Sequence, residues 1–124
     1  MNNSPLSGLP AALLAALSTL ANAQPDAAHG RELYESKCVA CHSIDAHRVG
    51  PMHRGLFGRR PGSSPGYEYS AALARAAIVW DAAALERWLA DPQALVPGQK
   101  MGYAVPDARD RADLIAYLRA VAGE

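Results

Sequence analysis

The chain has 124 residues, enough for one domain of ordinary size and too few for a multidomain enzyme. Twelve acidic and twelve basic residues leave it formally neutral, which argues against a polyanion binder relying on large net positive charge, nucleic-acid modules included. Half of the residues are hydrophobic, but 26 of these are Ala, so large side chains for a core are scarcer than the percentage says.

The first 23 residues contain no Asp, Glu, Lys or Arg. Within them Leu9 to Leu20 is an apolar run of about 12 residues, short of the roughly 20 that a membrane span needs. Ala21-Asn22-Ala23 follows in the small-x-small pattern of a signal-peptidase site. Residues 1–23 are therefore expected to be a secretory signal cleaved after Ala23, although the usual positive charge at its start is missing. Removing 23 from 124 leaves a mature domain, 24–124, of 101 residues that keeps every charge. It holds 27 large apolar side chains against 9 Gly and 7 Pro. A chain of that length must offset on the order of 100–200 kcal/mol of conformational entropy, so something besides side chains is expected to fill the core.

No stretch alternates apolar and polar residues long enough for a strand, so the regular structure is expected to be helical. A first helix is expected over Ala28–Val39. Gly30 inside it costs about 1 kcal/mol relative to Ala, which makes sense if another backbone passes close by. Residues 49–68 carry Gly50, Pro51, Gly55, Gly58, Pro61, Gly62, Pro65 and Gly66, and form a loop. A short helix over Ser70–Ala77 follows with Ser70 as N-cap. A firmer one starts at Asp81, puts Leu85, Trp88 and Leu89 on one face and stops at Asp91-Pro92. Residues 92–106 are expected to be loop. The last helix runs from near Asp107 to Ala122, with Leu114, Tyr117, Leu118 and Val121 on an apolar face and Arg111, Asp113 and Arg119 opposite. Two loops of about 15 to 20 residues in so small a domain are acceptable only if they wrap a ligand.

The two cysteines, Cys38 and Cys41, are followed at once by His42, giving Cys-Val-Ala-Cys-His. This is the c-type haem attachment pattern, and at this composition it arises by chance roughly once in 2000 shuffled chains. The chemistry explains the spacing: each thiol adds to one vinyl group, and the adjacent imidazole is carried under the iron. A structural zinc wants four ligands, but beside this cluster His29, His47 and His53 have no customary spacing. A thioredoxin-type pair needs a βαβ setting that is missing here, and a disulfide across two residues clamps almost nothing. For the position opposite His42 the candidates are Met52, Met101, His29, His47 and His53, and sequence separation does not choose among them.

Several segments carry a resemblance. They are Gly-Arg-Glu-Leu-Tyr-Glu-Ser-Lys-Cys-Val-Ala-Cys-His (30–42), Val-Gly-Pro (49–51), Gly-Leu-Phe-Gly-Arg (55–59) and Pro-Gly-Tyr-Glu-Tyr-Ser-Ala-Ala (65–72). After them come Trp80, Pro-Gly-Gln-Lys-Met (97–101) and Asp-Leu-Ile-Ala-Tyr-Leu (113–118). In this order and spacing the chain resembles the class I c-type cytochromes, close to mitochondrial cytochrome c and bacterial cytochrome c2.

The resemblance implies an all-α cytochrome c fold, with three to five helices and long loops around one covalently bound haem c. It implies attachment through Cys38 and Cys41, and iron ligation by His42 and by the Met101 thioether. Pro51 matches the proline whose carbonyl accepts from the proximal imidazole, and Arg59, Tyr69 and Trp80 match residues that hold or neutralise a haem propionate. Met52 is expected to pack rather than ligate, His47 and His53 to be surface or haem-edge residues, and His29 to be solvated at a helix start. Gly30 and Tyr34 match first-helix positions that cross the last helix at Leu114 and Tyr117. Leu73 replaces a polar residue near the haem and Trp88 a tyrosine, which removes hydrogen-bonding groups on the methionine side.

The implied function is that of a soluble, monomeric, periplasmic one-electron carrier, not an enzyme, working by outer-sphere transfer through an exposed haem edge. Its expected partners are redox proteins such as a bc1-type complex, a terminal oxidase, a reaction centre or a periplasmic dehydrogenase. Two alternatives are an electron-accepting subunit of a periplasmic dehydrogenase and a ligand-binding or sensing cytochrome whose methionine leaves. Residues 46–67 contain Arg48, Arg54, Arg59 and Arg60 and no acid, while 81–124 hold seven acids against five bases. Lys100 and some of those arginines are expected to rim the haem edge and steer acidic partner sites.

Overall fold

The computed structural model describes residues 1–3 and 23–123; residues 4–22, which hold most of the expected leader, lie outside this description, as does Glu124. Among the described residues the regular structure is entirely helical: α1 (Ala27–Lys37), α2 (Ala71–Ala74), α3 (Ala82–Ala90), α4 (Pro92–Leu95) and α5 (Ala108–Val121). The expected all-α fold of three to five helices with long loops is what the chain adopts. Each helix starts on a side-chain cap. Asp26 accepts from the Ala28 and His29 amides, Ser70 from Leu73, Asp81 from Ala84, Asp91 from Ala94 and Asp107 from Asp110. A cap of this kind contributes typically about 1 kcal/mol by satisfying an amide that the helix itself leaves unpaired.

Three boundaries differ from expectation. Helix α1 ends at Lys37 rather than Val39, because the chain turns at Cys38, whose carbonyl accepts from both Cys41 N (3.1 Å) and His42 N (2.8 Å). Helix α2 ends at Ala74 rather than Ala77. Beyond it the chain is drawn into a backbone pairing in which Trp80 N donates to Arg59 O (2.9 Å) and Gly58 N donates to Trp80 O (2.8 Å). Helix α4 occupies part of the stretch expected to be loop: Asp91-Pro92 ends α3 but also begins a new helix, with Pro92 at a first-turn position where its missing N–H costs nothing.

The core lies where α5 crosses α1 and packs on α3, and includes Leu33, Tyr34, Leu85, Trp88, Leu114 and Leu118. At the crossing, Tyr34 and Tyr117 rings sit 5.4 Å apart. Asp113, expected on the solvent face of α5, is instead buried at 1% exposure. It accepts from Asp26 N at 2.7 Å and pairs with His29 Nδ1 at 2.8 Å and Arg109 Nε at 3.3 Å, so a single carboxylate fastens the start of α1 to α5. A buried charge is tolerated only when it is met by donors in this way. His29 is correspondingly not a free solvated residue, although 41% of its side chain is exposed.

The loops are fixed by long-range bonds. His47 Nδ1 accepts from Met52 N (3.0 Å) and its Nε2 donates to Pro65 O (2.8 Å), while Tyr67 Oη donates to Val49 O (2.6 Å). Leu56 N donates to Ala122 O (3.1 Å), and Arg54 Nη1 donates to Val121 O (2.6 Å), placing a cation at the C-terminal end of α5. Among the described residues no helix is long and apolar enough to cross a membrane.

Candidate functional site

The turn after α1 brings both cysteines and His42 to one place. Cys38 is half-buried and Cys41 exposed, and both are free. Burial pushes the Cys38 thiol up to about 11, far from the thiolate character of a redox-active pair. Among the described residues no group of three or more His, Cys, Asp or Glu side chains converges on a metal-sized site, so the zinc reading has no ligand set.

His42 is held on three sides. Its Nδ1 lies 2.8 Å from Pro51 O. A carbonyl only accepts, so Nδ1 carries the proton, and in the neutral ring Nε2 presents a lone pair. Burial lowers the pKa of this imidazole, outweighing the opposite effect of the Pro51 bond, which keeps it neutral. Gly50 passes so close that a Cβ built on it would come within 2.3 Å of His42 Cε1, and its own amide donates to Cys41 O at 2.8 Å. On the third side the His53 ring stacks on His42, centroids 4.3 Å apart and planes 24° apart. His53, expected at the surface or haem edge, is half-buried and within hydrogen-bond distance of Tyr34 Oη (2.9 Å). Burial, then the nearby His42 and Arg59, push its pKa down to about 3.

Beside His42 opens a cavity of about 610 Å³. Cys38, Cys41, His42, Pro51, Arg59, Tyr69, Trp80 and Met101, all eight residues expected at the site, line it together. Of the five candidates for the second axial position, Met52, His53 and Met101 reach the cavity wall, whereas His29 and His47 do not. Leu73 and Trp88, which stand where polar groups were expected from the resemblance, line it too. The charged lining residues are Lys37, Arg59 and Lys100, and no acid is among them. Arg59 Nη1 donates to Arg54 O (2.9 Å), and Tyr69 Oη accepts from Ser64 N (3.3 Å). Trp80, only 6% exposed, meets Trp88 edge-on at 5.3 Å.

Sequence reasoning missed Gln99. Its amide folds back on the backbone of Met101, with Nε2 donating to Met101 O (2.9 Å) and Oε1 accepting from Met101 N. This clamp fixes the strand of loop that carries the thioether. Lys100 Nζ ties the same loop to Glu68 O (3.2 Å). The available signal was the Pro97-Gly98 turn, where Gly98 takes φ 90° and turns the chain back on itself just before Gln99.

An apolar, cation-lined cavity next to a Cys-x-x-Cys-His turn, with a free imidazole nitrogen and a thioether in its wall, has the chemistry to hold a haem. The family model for cytochrome c matches residues 27–122. The chain belongs to the cytochrome c family.

Cytochrome c2 of Rhodopila globiformis is 43% identical over 96 residues, covering 75% of this chain and 91% of that protein. Cytochrome c of Sesamum indicum is 42% identical over 94 residues, covering 73% and 85%. Among solved structures, cytochrome cH from Methylobacterium extorquens superposes with a TM-score of 0.73 at 40% identity, covering 77% of this chain and 98% of that one. As a class I cytochrome c, the chain carries one haem c, attached covalently through Cys38 and Cys41. It is a monohaem electron carrier rather than an enzyme, and the cavity accounts for the shortage of large apolar side chains: the cofactor supplies the missing interior.

Proposed function

We propose that His42 and Met101 ligate the haem iron, and that the mature domain, 24–124, is exported, loses residues 1–23 and works as a soluble periplasmic monomer. It relays electrons between redox proteins such as a bc1-type complex, a terminal oxidase, a reaction centre or a periplasmic dehydrogenase. The observation that carries the ligand assignment is the His42 Nδ1 bond to Pro51 O, which leaves Nε2 as the coordinating nitrogen in the same cavity as the Met101 thioether. When bound, the haem supplies a one-electron iron couple, and a neutral thioether ligand favours its ferrous form.

The protein's own residues do the rest. Gly50 and Pro51 orient the imidazole, and Gln99 fixes the backbone of Met101. Trp80, Trp88, Leu85 and Leu114 exclude water. Arg59, Tyr69 and Trp80 provide a cation and donors for a propionate that would otherwise be a costly charge in an apolar wall.

Docking is read from the cavity edge. Of the exposed large apolar residues, Val49 (75%) and Tyr103 (45%) line the cavity and Val39 (39%) lies within the attachment motif. Lys37 and Lys100 line the same cavity, and Arg48 reaches back to Val39 O. Arg54, by contrast, is engaged by Asp45 and by Val121 O and does not line the cavity. The face suits brief contacts with an apolar centre and a light positive rim, of the kind that favours fast release.

The test is the visible spectrum of the haem-loaded protein with a redox titration. A weak red charge-transfer band, abolished in Met101→Ala, is the expected result. Absence of that band in the natural protein overturns His/Met ligation. Sequencing the N-terminus of the exported protein checks cleavage after Ala23.

A further inference from the structure

We infer that His53 is a positioning residue for the proximal ligand, and that through Tyr34 it links the orientation of the His42 imidazole to the α1–α5 crossing. The inference rests on the reading of His42 as an iron ligand.

The restraints on His42 are of different kinds. Pro51 O and the Gly50 backbone both act around its Nδ1 and Cε1 atoms. Pro51 O meets the ring only at its edge, and the Gly50 backbone packs against it over Cε1, with both ring nitrogens equally near. A five-membered ring met by backbone at one end and a hydrogen bond at one edge keeps some freedom to rock about the bond joining it to its Cβ, and a flat group stacked on it restricts that freedom further. His53 is such a group, at 4.3 Å and only 24° from parallel.

A flat group restrains its neighbour only if it is itself held. The His53 backbone is anchored by its amide, which donates to Ser43 O (3.1 Å), and by its carbonyl, which accepts from Leu56 N (3.0 Å). Its ring is anchored by the Tyr34 hydroxyl at 2.9 Å. Tyr34 is 3% exposed and wedged between the His53 ring, 5.6 Å away, and the Tyr117 ring, 5.4 Å away. Four rings, Tyr117, Tyr34, His53 and His42, thus run without a break from α5 through α1 to the proximal side of the cavity. Where a simple apolar side chain would fill the same space, this arrangement adds one hydrogen bond that fixes the angle of the stacking ring. Rings packed against one another transmit displacements through their contacts, so a change at one end is felt at the other.

The plane of an axial imidazole sets how the unpaired electron of low-spin ferric iron is distributed over the haem. Hyperfine-shifted haem-methyl resonances and electron paramagnetic resonance g values read that plane directly, independently of electron-transfer activity. The experiment compares haem-loaded natural protein with His53→Leu and Tyr34→Phe. His53→Leu is expected to shift the methyl resonances and to move and broaden the g signals, while the charge-transfer band of the Met101 ligand persists. Tyr34→Phe keeps the His53 ring but frees it, and is expected to shift the same resonances in the same direction by a smaller amount. If His53→Leu does not mature, Tyr34→Phe alone decides. Natural methyl shifts and g values in the variants, with only a lower unfolding midpoint, would mean that His53 merely fills space, and the proposal would be overturned. Natural protein without low-spin His/Met signals would overturn the ligand assignment itself, an outcome visible before either variant is made.

Discussion

Gly30 faces Asp113 so closely that a Cβ built on it would stand 1.9 Å from the Asp113 carbonyl oxygen and 2.9 Å from Tyr117 Cβ. The α1–α5 crossing is therefore made by backbone on backbone, and glycine is needed for its lack of a side chain rather than for an unusual backbone angle. Alanine at this position gains about 1 kcal/mol of helix propensity but introduces overpacking that typically costs 1–3 kcal/mol. The atom it meets is a carbonyl that cannot rotate away, so the cost should lie at the upper end. Gly30→Ala is expected to lose about 2 kcal/mol net, read as a lower guanidinium midpoint of the haem-loaded protein. Unchanged stability would show that the helices separate without cost.

The same crossing gives stability a pH dependence. Burial raises the Asp113 carboxyl, but the Asp26 amide, His29 and Arg109 together outweigh it and hold its pKa below the ordinary 3.8. Its contribution is complete above that value and is lost as pH falls through its lowered one. The hydrogen bond that His29 donates to Asp113, partly opposed by desolvation, raises His29 above 6.5, so the His29 contribution is complete below 6.5 and is lost as pH rises through the raised value. Unfolding midpoints of the natural protein should therefore decline as pH rises above 6.5, and in His29→Gln that decline should flatten. Parallel curves for the two proteins would rule the pair out as its source.

What was legible in the sequence was what is decided locally. The caps Ser70 and Asp81 act on amides three residues away, and each starts the helix expected of it, while α5 begins just after Asp107, where it was expected. Cys38, Cys41 and His42 sit within one turn, and the covalent chemistry dictates their spacing. What was misread depends on distant partners. Asp113 looked like a surface charge because the amide that buries it, Asp26 N, is 87 positions away. His53 lines the cavity as a haem-edge residue would, but its stacking on His42 was not foreseen, because it depends on the path of the loop between them. Asp91-Pro92 carries two valid meanings, a stop for one helix and a start for the next, and local reasoning took only the first.

His47 holds two loops together without touching the cavity. Its side chain joins Met52 N to Pro65 O, and removing it leaves both groups to find water or go unpaired. Two hydrogen bonds of this type contribute about 1–3 kcal/mol together. His47→Ala is expected to lose that amount and to speed hydrogen exchange at the Met52 amide, while the charge-transfer band persists. Exchange at Met52 as slow as in the natural protein would show that the loops are held by other contacts.

The strictest constraint on the site is Gly50. An added Cβ would lie 2.3 Å from His42 Cε1 and 2.7 Å from both ring nitrogens, so the imidazole and the glycine backbone cannot keep their places together. Either the ring rotates, breaking its bond to Pro51 O, or the 49–51 segment withdraws and takes that carbonyl with it. Both routes disturb the orientation and basicity of the nitrogen that faces the cavity. Gly50→Ala is expected to give a lower yield of haem-attached protein and a shifted reduction potential in whatever matures. Gly58→Ala is the matched control. Gly58 has φ 81° and nothing within 4 Å of an added Cβ, so the substitution strains the backbone by about 1 kcal/mol without approaching His42. Its spectrum and potential should stay those of the natural protein. If the two variants lose yield equally and leave the potential alone, Gly50 acts on folding rather than on the ligand.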